Sequence, residues 1–381
     1  MSGVETVKKV SKGKKIKFAL FTLLFLMIII IIISEILLYF THYQSSADKM
    51  KIVSTEQAGW WACDTVNGPR YVAGGASASD SEFLKKEIWY YNRLKIVNNE
   101  GYHDKDNFTD STAANDSVRV LVAGDSFTWG ASSDVDSSYV DVLERDLNKA
   151  YPSSVWNTGI PGTGTNHALF TVKKYLPLQK SNVVVLGFYV GNDFEDNLLP
   201  FDRLVFNKLA SCFNLYSNDK NLNPVTITKS EAYKKITGSY PVEELNWVQK
   251  MLAHSRFIAF AGNIKNKVKN RLSGNKQKET EEAYKRTFNY LKQLKDYTTE
   301  NNAGLIVMIV PSSEELQKPS SRYLETIKIL NELQIKRVEV VNDFTETTDY
   351  IEPGGHWNNL GHLKTGHKLS NYLLEQFRKK Q

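Results

Sequence analysis

The stretch VRVLVAGDSFTWG, residues 118–130, decides the fold. Its first half is a nearly continuous run of aliphatic residues, which is typical of a strand buried on both faces of a parallel sheet. Gly124 ends the strand, and Asp125 and Ser126 follow at a tight turn. A serine at that place is exposed at the carboxyl end of a strand, with its backbone N–H and its hydroxyl pointing the same way. The stretch therefore predicts a parallel sheet with a reactive side chain at its edge.

Strands alternate with helices along the rest of the chain. Further strands are predicted at 155–157 (VWN), 182–189 (NVVVLGFY), 304–311 (GLIVMIVP) and 337–341 (RVEVV). Helical spacing marks residues 139–147, 168–175, 284–294, 323–333 and 360–377. Right-handed crossovers between such units produce a three-layer α/β/α sandwich with a mostly parallel five-stranded sheet of flavodoxin-like type.

The pattern loosens over residues 198–280. We interpret this segment as an insertion within a domain that spans 117–381, close to the carboxyl ends of the strands. It contains a predicted helix at 247–260 and a basic run around 265–278 that has no interleaved aromatic residues. A solvated helix face or loop is the simpler interpretation of that run, and contact with acidic lipid headgroups or an anionic glycan is the alternative.

An apolar segment lies near the N-terminus. Residues 18–40 read FALFTLLFLMIIIIIISEILLYF, and only Ser34 and Glu35 interrupt the run. In helical form these residues span about 34 Å, enough to cross a hydrocarbon core of about 30 Å. We expect the Glu35 carboxylate to be solvated at the outer interface. The segment therefore predicts a single transmembrane helix.

The charges around this helix predict its orientation. Residues 1–17 hold six Lys and one Glu, and such a basic tail stays in the cytoplasm. We therefore expect a single-pass protein of the inner (cytoplasmic) membrane, with residues 41–116 as a stalk and lead-in and the catalytic domain periplasmic or extracellular. A cleaved signal peptide is the alternative, with Ser45 and Ala47 as the small residues before the cleavage site.

Charge and cysteine content exclude several classes of protein. Outside the first 17 residues, 42 basic side chains stand against 41 acidic ones, so nothing predicts a nucleic-acid partner. Cys63 and Cys212 are too few for a disulfide scaffold or a cysteine-based zinc site, and both one disulfide and two free thiols remain open. No His, Cys and Asp cluster has metal-ligand spacing, and GIPGTG (159–164) lacks the spacing of a dinucleotide-binding turn. We expect neither a metal nor a cofactor.

Four segments carry residues suited to acyl transfer. Three follow predicted strands and one precedes the last helix: GDSFTWG with Ser126, GIPGTG with Gly162, GND (191–193) with Asn192, and GGHWNNLGH (354–362) with His356. Together they supply a hydroxyl nucleophile, an imidazole base and three donors for an oxyanion, as attack by an activated serine requires. The signal lies in their order and in their placement at strand ends.

These four segments resemble the blocks of the SGNH (GDSL-type) hydrolase superfamily, which is named for Ser, Gly, Asn and His. Residues 90–104 (YYNRLKIVNNEGYHD) are also similar to the lead-in of its membrane-anchored bacterial members. The resemblance covers about residues 90–380, apart from the insertion. It implies that His356 takes the proton of Ser126, and that the N–H groups of Ser126 and Gly162 and the Asn192 amide hold the oxyanion.

The chain departs from the family at the acid. Family members usually carry Asp three residues before the histidine, or two in some, and here Pro353 and Gly354 occupy those positions. Glu352 is expected to orient the imidazole. Asp349 and a dyad without a carboxylate are the alternatives, and loss of the carboxylate lowers the rate without removing the oxyanion hole.

The resemblance and the anchor together imply a function. We expect a membrane-anchored serine esterase that removes acyl groups, acetyl above all, from a cell-envelope or exported glycan through an acyl-serine. An O-acyltransferase with the same site and a non-catalytic glycan-binding protein on a degenerate scaffold are the alternatives. Trp129 is expected to stack on a sugar, and His362 and His367 are expected at the surface or as caps.

Overall fold

The computed structural model describes residues 12–49, 61–64, 68–71, 98, 100–105, 108, 116–134, 136–198, 217–218, 224–225, 242–272, 275–351 and 355–379. The expected triad residue Glu352 and the cysteine Cys212 lie outside the described residues. The helices are α1 (Lys12–Phe40), α2 (Ser46–Lys49), α3 (Ser126–Trp129), α4 (Tyr139–Leu147), α5 (Thr165–Gln179), α6 (Asp193–Asp196), α7 (Trp247–His254), α8 (Arg256–Leu272), α9 (Asn275–Glu300), α10 (Ser321–Glu332), α11 (Glu346–Asp349) and α12 (Asn359–Arg378).

The chain divides into two compact units, and the larger holds residues 52–239 and 275–381. Its sheet consists of β1 (Val118–Gly124), β2 (Ser153–Asn157), β3 (Val183–Tyr189), β4 (Gly304–Val310) and β5 (Lys336–Glu339), in the order β2-β1-β3-β4-β5. All four neighbouring pairs are parallel. The predicted fold is confirmed, and each strand ends within two residues of its predicted limit. Short antiparallel pairs join Trp61–Asp64 to Gly68–Tyr71 and Ser217–Asn218 to Pro224–Val225.

Helices cover both faces of this sheet. On one face α4 and α12 pack against each other and against alternate residues of the strands, including Val120, Val185 and Met308. The helices α5 and α9 also pack together, and they contact β1 and β4 respectively. Burial on both sides explains why these strands are continuously apolar in sequence.

The strand order reverses between β1 and β3. The chain passes from β1 to β2 at one side of the sheet and then returns to β3 at the other side of β1. The loops that leave β1 and β3 therefore separate at the carboxyl edge and form the crevice in which open α/β sheets bind their ligands.

The smaller unit contains residues 1–51 and 240–274. Within Gly13–Phe40 of α1 an 18-residue window has a mean hydropathy of 3.0, so this helix is long and apolar enough to cross a membrane. The single helix expected at 247–260 is two helices, because Ser255 adopts an extended backbone (φ −73°, ψ 119°) and separates α7 from α8.

The Glu35 carboxylate has protein partners that the sequence did not predict. It accepts hydrogen bonds from the backbone N–H groups of Arg256 (3.0 Å) and Phe257 (3.1 Å), and also from the Ser255 hydroxyl. These groups belong to the first turn of α8, whose N–H groups have no partner within the helix. A contact across 220 residues of chain left no signal in the local sequence.

The contact between α12 and α4 generates the first prediction. A Cβ at Gly366 would lie 2.5 Å from the Val142 Cβ and 2.9 Å from the Tyr139 carbonyl oxygen. We expect Gly366→Ala to lower the free energy of unfolding by about 1–3 kcal/mol, because the two helices must move apart. Thermal unfolding of the detergent-solubilised protein measures the change.

Gly262→Ala is the matched control, because a Cβ there meets nothing within 4 Å. It should be neutral, or stabilising by up to about 1 kcal/mol through helix propensity. A Gly366→Ala protein as stable as the control would contradict the close helix contact.

Candidate active site

Ser126 is the first residue of α3, directly beyond the end of β1. The Asp125 side chain caps this turn and accepts a hydrogen bond from the Phe127 N–H at 3.0 Å. Gly130, with φ +84°, ends the turn in the left-handed region that glycine adopts without strain. The short turn holds the half-buried Ser126 at the edge of the sheet.

Two paired glycines let this turn lie against the strands. Gly124 of β1 and Gly187 of β3 are partners in the sheet register. A Cβ at Gly124 would lie 2.2 Å from the Thr128 Oγ1, and one at Gly187 would lie 2.4 Å from the same atom. The Thr128 hydroxyl also lies 2.9 Å from the Tyr139 hydroxyl. Any larger residue at either glycine would push the serine turn away from the sheet.

His356 contacts the serine directly. Its Nε2 lies 2.8 Å from the Ser126 Oγ, and its ring packs against Phe127 with centroids 5.0 Å apart. Burial lowers the pKa of His356 to about 4, so its imidazole is neutral near pH 7. A neutral Nε2 at this distance is able to accept the serine proton.

The segment around His356 is held by its neighbours. Trp357 is fully buried, and an isolated β-bridge pairs it with Tyr350. The His356 carbonyl accepts a hydrogen bond from the Ile351 N–H at 3.0 Å. The Asn358 side chain caps α12 by accepting from its first N–H groups. Packing on one side of the imidazole and a helix cap on the other fix its position.

Among the described residues, no carboxylate forms a hydrogen bond with the His356 imidazole. Glu352, the expected one, lies outside them. The alternative Asp349 is fully buried, and its Oδ2 accepts from the Thr345 N–H (2.6 Å) and from the Lys364 ammonium (2.9 Å). In the described part of the chain, the one side-chain hydrogen bond of His356 joins it to Ser126. The hydrogen bonds of Asp349 thus connect the end of α11 to α12.

Gly162 lies in the loop that follows β2. Its φ of +76° is a left-handed conformation that favours glycine. The start of this loop continues the pairing with β1, because the N–H groups of Thr158 and Ile160 donate to the carbonyls of Val122 (2.8 Å) and Gly124 (3.0 Å). The glycine loop and the serine turn therefore leave the same edge of the sheet.

Asn157 connects these two loops, and sequence reasoning missed it. Its Nδ2 donates to the Thr128 carbonyl at 3.0 Å, and its Oδ1 accepts from the Gly159 N–H at 3.0 Å. The Asn157 N–H in turn donates to the Asp104 carboxylate at 2.8 Å. A buried Asn ending a strand before a glycine was the available signal, and Asp104 lies in the lead-in that the family resemblance singled out.

Asn192 begins the loop after β3 and lies at the N-terminus of α6. Its Oδ1 is buried and has no hydrogen-bond partner among the described residues. The preceding carbonyl, of Gly191, accepts from the Arg322 guanidinium at 2.7 Å, and Arg322 also pairs with Glu195. Arg322 therefore holds the peptide that carries Asn192, and the sequence offered no sign of that role.

A group of buried acids is associated with the serine turn: Asp125, Asp193 and Asp196. Burial, together with the charge of Asp196, raises the pKa of Asp125 to about 7, although the hydrogen bond from the Phe127 N–H acts in the opposite direction. Burial also raises the pKa of Asp193 well above its usual range, with added repulsion from the other two acids. The raised pKa values favour the protonated forms of Asp125 and Asp193.

The expectation for Trp129 was wrong, and His362 is a cap of α4 and not a surface residue. Trp129 is fully buried, and its ring lies 5.1 Å from the His103 ring, so it has no surface to offer a sugar. His362 is also fully buried, where its Nδ1 accepts from the Tyr139 N–H at 3.3 Å. Trp129 is buried because of its place in the four-residue α3, and His362 is buried because it lies on the inward face of α12. His367 does lie at the surface and pairs with Asp146.

The chain matches no protein-family profile and no curated protein. Among solved structures it resembles a two-domain esterase active on acetylated mannans (12% identity, TM-score 0.37, 70% of this chain and 51% of that one). It also resembles a lipase/acylhydrolase from Enterococcus faecalis (15%, 0.36, 68% and 96%) and an acetyl xylan esterase (11%, 0.37, 67% and 99%). The chain thus spans about half the length of the two-domain esterase. Such distant likenesses give no information on its own activity.

The raised pKa of Asp125 generates the second prediction. With a pKa of about 7 when folded and an ordinary value of 3.8, Asp125 binds more protons in the folded state between those limits. Stability should therefore fall as the pH rises through this window. Asp125→Asn keeps an acceptor for the Phe127 N–H and does not titrate, so its free energy of unfolding should fall less. Urea unfolding at several pH values across the window measures this.

The exposed Asp136→Asn is the control, and it should retain the pH dependence of the wild type. An Asp125→Asn protein with the same pH dependence as the control would contradict a proton held on Asp125.

Proposed function

We propose that this chain is a membrane-anchored serine esterase of the SGNH type, which removes acyl groups, acetyl above all, from a cell-envelope or exported glycan. The observation that carries the proposal is the 2.8 Å contact between the Ser126 Oγ and the Nε2 of a neutral His356. It occurs at the carboxyl edge of the sheet, where the strand order reverses. The four sequence segments support the family, and the family resemblance supports the glycan ester.

The first half of the reaction forms an acyl-serine. His356 Nε2 accepts the Ser126 proton while the Oγ attacks the ester carbonyl, and a tetrahedral intermediate forms. As it collapses, the bond to the sugar oxygen breaks, and the imidazolium gives its proton to that oxygen. The deacylated glycan leaves. The low pKa of His356 favours this return of the proton.

The oxyanion of the intermediate needs preorganised donors. We assign this role to the backbone N–H groups of Ser126 and Gly162 and to the side-chain amide of Asn192. Their loops follow β1, β2 and β3, which are neighbours in the sheet. Each such donor is typically worth about 2.7–4 kcal/mol in the transition state. Protons retained on the buried acids near the serine turn would favour the developing negative charge.

The second half of the reaction releases the acyl group. Water enters, His356 takes one of its protons, and the resulting attack forms a second tetrahedral intermediate on Ser126. Its collapse breaks the bond to the Oγ and returns the proton to the serine, so the products are the free acid and the original enzyme. Glu352 is the carboxylate that we assign to orient the imidazole through its Nδ1.

An uncleaved α1 would hold the enzyme at the membrane, with the catalytic unit outside the cytoplasm. Besides its length and hydropathy, the contacts at its end support retention. Ser45 and Ala47, the small residues of the alternative cleavage site, are buried in the smaller unit. The Tyr43 ring packs against Phe260 with centroids 5.7 Å apart. These contacts support an uncleaved anchor over a removable leader.

Fluorophosphonate labelling of the full chain tests the proposal. We expect the wild type to be labelled and to release acetate from an acetylated glycan, and Ser126→Ala to do neither. Ser137→Ala, in the loop before α4, is the matched control and should react like the wild type. Labelled protein should remain in the membrane pellet after an alkaline wash. A folded wild type that neither reacts nor releases acetate would contradict the esterase.

Glu352→Gln in the same assay addresses the third member of the site. A rate between those of the wild type and Ser126→Ala is expected, because the oxyanion donors remain. The exposed Glu314→Gln is its control. A Glu352→Gln enzyme with the full wild-type rate would contradict the assignment of Glu352 as the residue that orients the imidazole.

The pKa of His356 predicts the acid limb of the activity profile. Since His356 must be unprotonated to accept the serine proton, kcat/KM should fall only as the pH approaches about 4. Hydrolysis of a soluble acetyl ester, measured from about pH 4 to about pH 8, checks this. An acid limb centred near the ordinary histidine value of 6.5 would contradict the desolvated imidazole.

A further inference from the structure

The hydrogen bonds between Glu35 and the start of α8 fix the position along α1 at which α7 and α8 meet. Glu35 lies five residues before Phe40, the last residue of α1, which is about 7–8 Å along the helix axis. Its carboxylate binds Ser255, Arg256 and Phe257, at the junction between α7 and α8. The junction therefore lies beside the apolar helix, below its outer end.

The two helices then lead away from this junction. Tyr43, beyond the end of α1, contacts Phe260 and Asn263 of α8. At the other side of the junction α7 packs against α2, which also follows the end of α1. The pair therefore forms a hairpin: α7 packs against α2 and ends at Ser255, whereas α8 begins beside Glu35 and passes Tyr43 with Phe260 and Asn263. We call residues 247–272 the anchor hairpin.

The anchor hairpin exposes a large apolar surface. Trp247 is 77% exposed and Met251 is 59% exposed, and both lie on α7. Val248 and Leu252 continue the same side of that helix, while Ala253 faces inward and is buried. Ile258, Phe260 and Ile264 of α8 are at least 40% exposed. Exposed apolar side chains on both helices, beside a helix that is able to span a membrane, indicate contact with lipid.

The charges of this stretch match an anionic bilayer. No acidic residue occurs between Glu244 and Glu279, whereas the same stretch holds eight Lys and Arg residues. Lys265 is exposed, and Lys267, Lys269 and Arg271 follow it at the end of α8 away from Glu35. Basic residues beyond an embedded apolar face are typical of helices that bind acidic headgroups. The basic run is therefore more than a solvated helix face.

We propose that the anchor hairpin inserts into the outer leaflet of an anionic phospholipid bilayer and binds it, with Ser255 at its deepest point. This inference rests on the proposed membrane anchoring of α1. It also explains a charged residue near the end of the apolar run. An unpaired carboxylate there is costly, whereas Glu35 receives the free N–H groups and the positive end of the 17-residue α8. Glu35 thereby positions the hairpin.

Tryptophan quenching by brominated lipid tests the insertion. The full chain is reconstituted in vesicles of phosphatidylcholine and phosphatidylglycerol, with bromine on the upper acyl chain of part of the lipid. We expect Trp247→Phe to lose much of the emission that brominated lipid quenches in the wild type. Trp156→Phe removes a fully buried tryptophan of the larger unit and should leave the quenched emission unchanged. Equal quenched emission in wild type and Trp247→Phe would overturn the proposal.

Glu35→Gln tests the tie to α1, with the neighbouring Ser34→Ala as its control. Loss of the charge should reduce the lipid quenching of Trp247, whereas the control should retain it. Quenching that is the same in Glu35→Gln and Ser34→Ala would overturn the positioning role of Glu35.

Fluorophosphonate labelling in the same vesicles separates this inference from the proposed esterase. Labelled protein whose Trp247 is not quenched overturns the hairpin insertion and leaves the esterase. Quenched Trp247 in protein that does not label supports the insertion and overturns the esterase. If the purified protein is found to have lost α1 by cleavage, that result overturns the anchor and, with it, the insertion.

Discussion

The parallel pairing of β1 with β3 is the constraint on which the rest of the structure depends. It brings Gly124 and Gly187 side by side at the carboxyl edge of the sheet, and their missing side chains leave the space that Thr128 occupies. The serine turn can then lie directly on the strand ends. Because the pairing continues into β2, the loop of Gly162 leaves the same edge. Residues far apart in the chain are thereby brought to one crevice.

The electrostatics of the crevice suit a reaction that builds up negative charge. Burial keeps His356 neutral near pH 7 and raises the pKa values of Asp125 and Asp193, which favours the uncharged forms of these three groups. Backbone and amide dipoles then contribute to the electric field at Ser126. Fixed dipoles need no rearrangement when an oxyanion forms, which is why such sites lower barriers effectively.

The smaller unit solves a different physical problem. A charged residue in an apolar helix must find partners, and α8 offers an N-terminus whose N–H groups need acceptors. The contact of Glu35 with Ser255, Arg256 and Phe257 satisfies both. Ser255, whose extended backbone separates α7 from α8, also donates a hydrogen bond to this carboxylate.

The sequence by itself determined the strands, their parallel arrangement and the four segments that carry Ser126, Gly162, Asn192 and His356. These features follow from local patterns: apolar runs, glycine stops and the alternation of strands and helices. Tertiary structure alone decided the roles of Asn157 and Arg322, the burial of Trp129 and His362, and the partners of Asp349 and Glu35. Each of these depends on a contact between segments distant in sequence. Local periodicity carries no information about which distant backbone groups a side chain will meet.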